Sequence, residues 1–206
     1  MIGAKESEIA SMIAEVIARE GGYVAHPADR GGATKYGVTH GALRAWRGEA
    51  VTAEDVRALS RAEAAALYRA LYYERPRLFL LPAPLQPFLF DCAVHHGPRS
   101  AALLLQRVLN ESGFPCREDG VIGAETAQRS TDALSALDNA LLERLLEARL
   151  RIIDRIVAND TSQRVFLRGW VRRIESFRRR PLPSAMTDGE VASHSVSEKP
   201  SVASPS

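Results

Sequence analysis

A helical stripe that runs out in a carboxylate followed by two glycines constrains this chain more than any other feature. Ile9, Ile13 and Val16 fall at i, i+4 and i+7, flanked by Met12 and Ile17, and the next position of the stripe is Glu20. Gly21-Gly22 follow at once and stop the helix, so Glu20 occupies a core-facing position at its end. There a carboxyl group loses hydration and meets the negative end of the helix dipole, and both effects raise its pKa. A group of that kind can stay protonated near neutral pH and act as a general acid.

Nine residues on, Asp29 lies in a loop dense in Gly and Pro (Pro27, Gly31, Gly32), followed by the polar run Thr34-Lys35-Tyr36-Gly37-Val38-Thr39. Two carboxyl groups flanking a tight loop, one on an apolar face and one in a polar turn, match what glycosidic bond cleavage requires. Asp29 between Ala28 and Arg30-Gly31 also reads as an ordinary turn residue. The stretch EGGYVAHPADRGGATKYGVT resembles the signature of the family-108 glycoside hydrolases, lysozyme-like bacterial and phage muramidases. The resemblance continues through TAEDVRALSRAEAAALYRALYY and FDCAVHHGPRSAALLLQRVL to DGVIGAETAQ and FLRGWVRRIESF, about residues 8 to 178. Its second half is similar to a peptidoglycan-binding segment commonly fused to this catalytic part.

The resemblance implies Glu20 as the essential acid, with Asp29 and a threonine beyond it, Thr34 or Thr39, acting on water or on the sugar cation. Tyr23 and Tyr36 are candidates for substrate contact, having aromatic faces suited to sugar rings and hydroxyls suited to their polar edges; each is equally compatible with a core position. His95 is a further candidate contact, in a His95-His96 pair standing where the family usually has Asn-Ser. Adjacent histidines point to different sides of a helix, and His26 and His40 have no ligand-like spacing, so no metal site is expected, and the chemistry requires no cofactor.

The pattern elsewhere predicts a mostly α chain with at most a small β-hairpin, between Tyr23 and Val38, and the resemblance implies a lysozyme-like helical fold of two closely packed lobes. Thr39 can cap a short helix ending at Gly48, and Thr52 with Asp55 and Ser60 with Glu63 read as capping boxes. Pro76, Pro82, Pro84 and Pro87 impose an irregular connection. The run FLFDCAVHH is apolar round most of a helix, which predicts a central buried helix, with Asp91 held there by a structural hydrogen bond. Further helices are expected over about 99–112, from Glu125, over about 135–157, and from Ser162, the last placing Phe166, Trp170, Ile174 and Phe177 on one inward stripe. The turn around Asp119-Gly120 resembles an element of peptidoglycan-binding folds and serves equally as an interhelical turn. The expected organisation is a catalytic region over residues 1–96, a peptidoglycan-binding-like helical region over 97–180, and a Ser- and Pro-rich disordered tail over 181–206.

At 206 residues the chain can bury a real core, and its net charge of +2 points to no partner by itself. From Arg144 to Arg180, however, eleven arginines stand against four acids, a surface that attracts polyanions such as bacterial wall. Cys92 and Cys116 are too few for a disulfide framework, so cytoplasmic synthesis is expected, with one optional bridge. The N-terminus has the spacing of an amphipathic helix rather than of a signal peptide. A monomeric enzyme that acts in the periplasm or cell wall would then need a holin or a secretion apparatus for export. The expected activity is hydrolysis of the β-1,4 bond between N-acetylmuramic acid and N-acetylglucosamine, for lysis or for local wall opening during secretion. The alternatives are a lytic transglycosylase using the same Glu, a non-catalytic wall-binding protein, and, last, nucleic-acid binding through the Arg-rich helices, which leaves the Glu20 to Thr39 stretch unexplained.

Overall fold

The computed structural model describes residues 2–20, 23, 33–48 and 50–178, with side chains at 6–19, 23, 33–48 and 50–178. Asp29 and the tail over 181–206 lie outside the described residues, and Glu20 is described as a helical residue without its side chain. Among the described residues there are nine α-helices and one two-stranded antiparallel hairpin, the mostly α architecture that the periodicity predicts.

Helix α1 (Ile2–Glu20) buries Ile9, Met12, Ile13, Val16 and Ile17 and packs against α4 (Arg61–Tyr68). Each of these side chains contributes about 1.5–3 kcal/mol on burial, so the stripe alone holds α1 and thereby sets where its last turn lies. The hairpin pairs β1 (Thr34–Lys35) with β2 (Val38–Thr39), Thr34 opposite Thr39 and Lys35 opposite Val38. Its two-residue turn has positive φ at Tyr36 (54°) and Gly37 (73°), the left-handed pair that matches the twist of a tight hairpin and that glycine adopts without strain. Thr39 ends β2 and caps α2 (His40–Arg47), its hydroxyl accepting from the Ala42 N–H at 3.1 Å, and α2 closes at a left-handed Gly48. Both expected capping boxes are present, Thr52 with Asp55 on α3 (Ala53–Ala58) and Ser60 with Glu63 on α4.

Helix α4 continues as a π-helical segment over Arg69–Glu74, and the prolines then confine the chain to two short 3-10 turns, Leu78–Leu80 and Ala83–Leu85. Buried Gln86 secures this irregular stretch, accepting from the Tyr73 hydroxyl at 2.9 Å and donating to the Leu81 carbonyl at 2.8 Å. Helix α5 (Gln86–His96) is the central element, with Phe88, Leu89, Phe90, Asp91, Cys92 and Ala93 all buried. Helices α6 (Pro98–Glu111), α7 (Ala124–Leu137), α8 (Asn139–Asn159) and α9 (Arg164–Arg178) follow, α6 packing on α5 and α8, and α9 on α8. Cys92 and Cys116 are both free buried thiols.

Two elements differ from expectation. The long amphipathic segment from Ser135 is divided at Asp138, whose φ of 47° breaks the helix and separates α7 from α8. The α9 stripe is buried only at Ile174 and Phe177, while Phe166 is 54% exposed and Trp170 half-buried. Helix α5 ends at His96, with Trp170 against His95, so the part of α9 before Trp170 runs beyond α5.

Candidate active site

At its C-terminal end α1 is tied to the rest of the fold by an ion cluster. Arg19, the residue before Glu20, reaches Asp91 of α5 with Nη1 3.2 Å from Oδ1, and its guanidinium lies 5.9 Å from the Phe177 ring. Asp91 is 1% exposed and also holds two arginines of the C-terminal half. Arg149 of α8, fully buried, has Nη1 2.8 Å from Oδ2, and Arg173 of α9 donates from Nε to both carboxylate oxygens at 2.9 and 3.1 Å. One carboxylate thus gathers three guanidiniums from α1, α8 and α9. Glu15, one turn back on α1, offsets part of this charge, its Oε2 3.7 Å from Arg19 Nη2.

Arg149 extends this cluster toward the end of α5. Its Nε donates to His96 Nε2 and its Nη2 lies at hydrogen-bond distance from His95 Nδ1, both at 3.3 Å. A guanidinium only donates, so both imidazole nitrogens must be unprotonated. Burial, reinforced by the charge of Arg149, accordingly lowers the pKa of His95 to about 4 and that of His96 to about 3. These histidines are neutral at physiological pH. Trp170 meets His95 edge-on at 5.6 Å, and Phe166 stacks on Trp170 at 5.7 Å.

The hairpin brings the other sequence candidates together around α3. Tyr23 is half-buried with the Arg57 guanidinium 5.0 Å from its ring centre; Lys35 donates to the Arg57 carbonyl at 2.6 Å and stands 5.5 Å from the Tyr36 ring. The Tyr36 carbonyl accepts from Tyr68 of α4 at 3.0 Å, which anchors the turn to the core. Thr34 and Thr39 are direct cross-strand partners and so share one face of the hairpin. The Thr39 hydroxyl is engaged as a helix cap. His95 belongs to the α5, α8 and α9 side. Asp29 lies outside the described residues, as does the Glu20 side chain, although the backbone of α1 ends at Glu20.

A cavity of about 330 Å³ adjoins the ion cluster and runs back along α1, with Met12, Val16, Phe88, Leu142 and Phe177 as apolar walls and Glu8, Glu15, Arg19 and Asp91 as charged lining. Sequence reasoning missed Arg19, Arg57, Arg149 and Arg173. For Arg149 a signal existed: it falls seven residues after Leu142 and four before Ile153, on the buried stripe of α8. A cation on one apolar stripe and an anion, Asp91, on another together indicate a buried pair.

The Asp119 turn has a structural anchor. Fully buried Gln106 donates from Nε2 to Asp119 Oδ1 at 3.0 Å and to Thr126 Oγ1 at 3.2 Å, and accepts from the Gly120 N–H at 2.9 Å.

Comparison with known families gives a match to the glycosyl hydrolase 108 model over residues 13–97 and to a predicted peptidoglycan domain over residues 100–175. The solved structure of SagA from Brucella abortus is similar at 32% identity and a TM-score of 0.71, with 85% of this chain and 94% of that chain covered. Curated protein sequences yielded no match. A helical lysozyme-like fold, a glycosidase model over the half that carries α1 and the hairpin, and a peptidoglycan model over the other half define a glycoside hydrolase that degrades peptidoglycan. The chain belongs to glycosyl hydrolase family 108.

Proposed function

We propose that the protein is an N-acetylmuramidase, a lysozyme, that hydrolyses the β-1,4 bond between N-acetylmuramic acid and N-acetylglucosamine with Glu20 as general acid. The observation that carries the reading is that α1 ends at Glu20 and that the preceding residue, Arg19, is fastened to buried Asp91. A proton donor must be held to within a fraction of an ångström of its target, and a helix end locked on both its apolar and its polar side meets that need. Glu20 passes its proton to the bridging oxygen as the bond from that oxygen to the anomeric carbon breaks. Water then supplies the hydroxyl to the anomeric carbon and releases a proton that restores the carboxyl group. Asp29 and the Thr34 hydroxyl orient that water or stabilise the developing oxocarbenium charge. Tyr23, Tyr36, Thr39 and His95 contact the glycan.

Residues 1–96 carry the chemistry and 97–180 hold the wall, a division supported by the two family models on either side of residue 98. The enzyme acts in the periplasm or cell wall, reached through a holin or a secretion apparatus. The test is muropeptide analysis after digestion of purified sacculi by wild type and Glu20→Gln. New reducing ends are expected from wild type, with a rate loss of about 10²–10⁴ in the variant, the span that general acid catalysis covers. Undiminished cleavage by Glu20→Gln overturns the assignment, and anhydro-muramic ends from wild type replace hydrolysis with transglycosylation.

A further inference from the structure

Val165 and Phe166 at the start of α9 lie off the core, and Trp170, one turn on, is only partly packed against it. Phe166 is 54% exposed and Val165 78%, and the Phe166 ring lies nearly parallel to that of Trp170, 29° between planes. Trp170 in turn braces against His95 at the end of α5, so the platform has a rigid edge. Gly169 lies within α9 between the two aromatics, and a Cβ there would meet nothing within 4 Å. Glycine in a helix interior is disfavoured, and here, three residues after Phe166, it leaves the space beside that ring open.

The platform lies beside the ion cluster at the end of α1. Trp170 precedes Arg173 by one turn of α9, and His95 follows Asp91 by one turn of α5, about 5 Å in each case. Arg173 and Arg19 meet on Asp91, and Arg19 adjoins Glu20. The platform therefore continues outward from the helix end that carries the proposed acid. It is built from the half of the chain matched by the peptidoglycan model, yet it abuts α5 of the glycosidase half.

We propose that Phe166 and Trp170 form a glycan subsite on which an N-acetylhexosamine ring of the peptidoglycan strand stacks by its apolar face. The proposal rests on the muramidase reading for the identity of the glycan. A pyranose presents a face of C–H groups and a rim of hydroxyls, which suits an aromatic surface that is flat, partly exposed and open at one flank. His95, neutral because its Nδ1 faces the Arg149 guanidinium, fixes the ring it touches and adds no charge to it. The subsite joins the two halves in one function, since substrate held by α9 is delivered to the end of α1.

The test measures binding separately from cleavage. In a Glu20→Gln background carrying Trp46→Phe, Trp170 is the sole tryptophan, and a soluble N-acetylglucosamine–N-acetylmuramic acid tetrasaccharide is titrated while its fluorescence is followed. A saturable change in the Trp170 signal is expected. Phe166→Ala and Gly169→Leu are each expected to weaken binding roughly three- to tenfold, the range that one aromatic stacking contact spans. In catalytically intact protein the same substitutions raise KM on sacculi with kcat nearly unchanged, and Trp170→Phe keeps most of the affinity that Trp170→Ala loses. Phe166 and Gly169 are exposed, so these two variants read the subsite even if Trp170→Ala fails to fold. A Trp170 signal indifferent to saturating tetrasaccharide, or binding by Phe166→Ala and Gly169→Leu within twofold of the parent, overturns the subsite. Full activity of Glu20→Gln would instead remove the acid assignment and leave the binding result standing.

Discussion

Replacing Asp91 with Asn probes the ion cluster most directly. The native carboxylate receives three guanidiniums at 2.8–3.2 Å, one fully buried and one 17% exposed. Asn keeps one acceptor oxygen and turns an NH2 group toward donors that it cannot satisfy. The cost is set by Arg149, because a buried charge stripped of its counter-ion costs about 3–5 kcal/mol, whereas Arg19, a third exposed, is largely rescued by water. At about 2–4 °C per kcal/mol for a chain of this size, Asp91→Asn should lower Tm by roughly 6–20 °C. Urea denaturation at pH 7 with the m-value checked is the suitable assay, and Asp91→Asn combined with Arg149→Gln should lose less than the sum of the single changes. Hydrolysis at a temperature where the variant is folded should fall as well, because Arg19 no longer holds the last turn of α1. A stability loss under about 1 kcal/mol would refute the reasoning, since it would mean that Arg149 finds its compensation elsewhere.

The remaining predictions concern protonation, the second half and the hairpin. His95 and His96 have folded-state pKa values lowered to about 4 and about 3, so below the ordinary value near 6.5 the unfolded chain takes up protons that the folded one refuses. The stability present at pH 7 is therefore lost progressively as pH falls from 6.5 toward 3, and urea midpoints for a His95→Gln, His96→Asn variant should change less over that window than those of wild type. Gln106→Leu, which leaves the Gly120 N–H without its acceptor, should cost roughly 1–3 kcal/mol by denaturant titration. Thr39→Ala removes a helix cap and should cost about 1 kcal/mol, whereas Thr34→Ala should act chiefly on hydrolysis; thermal melts and turbidity clearing measured side by side separate the two.

Much of the local structure was legible because its causes are local. The boxes at Thr52 and Ser60, the cap at Thr39, the stop at Gly48 and the proline-ruled connection each follow from a few neighbouring residues and their backbone preferences. The buried stripe of α1 and the apolar circumference of α5 follow from periodicity, and the Glu20 to Thr39 stretch pointed to the family that the matches show. The break at Asp138 was not legible, since the apolar spacing runs on through a residue that leaves the helix.

The sequence by itself determined the helical class, the hairpin, the family and the amphipathic helix α1, because these depend on order and spacing along the chain. Only the tertiary structure decided which of the arginines serve the interior. Arg149 and Arg173 turn inward because Asp91, 58 and 82 residues earlier in the chain, is buried and needs counter-charge. Only the fold, too, decided that Phe166 lies off the core and Trp170 only partly on it: their spacing matches that of Ile174 and Phe177, but α5 ends at His96, so His95 meets Trp170 and nothing of α5 reaches Phe166. Burial is a property of what lies opposite a residue, and that is settled by packing between segments far apart in the chain.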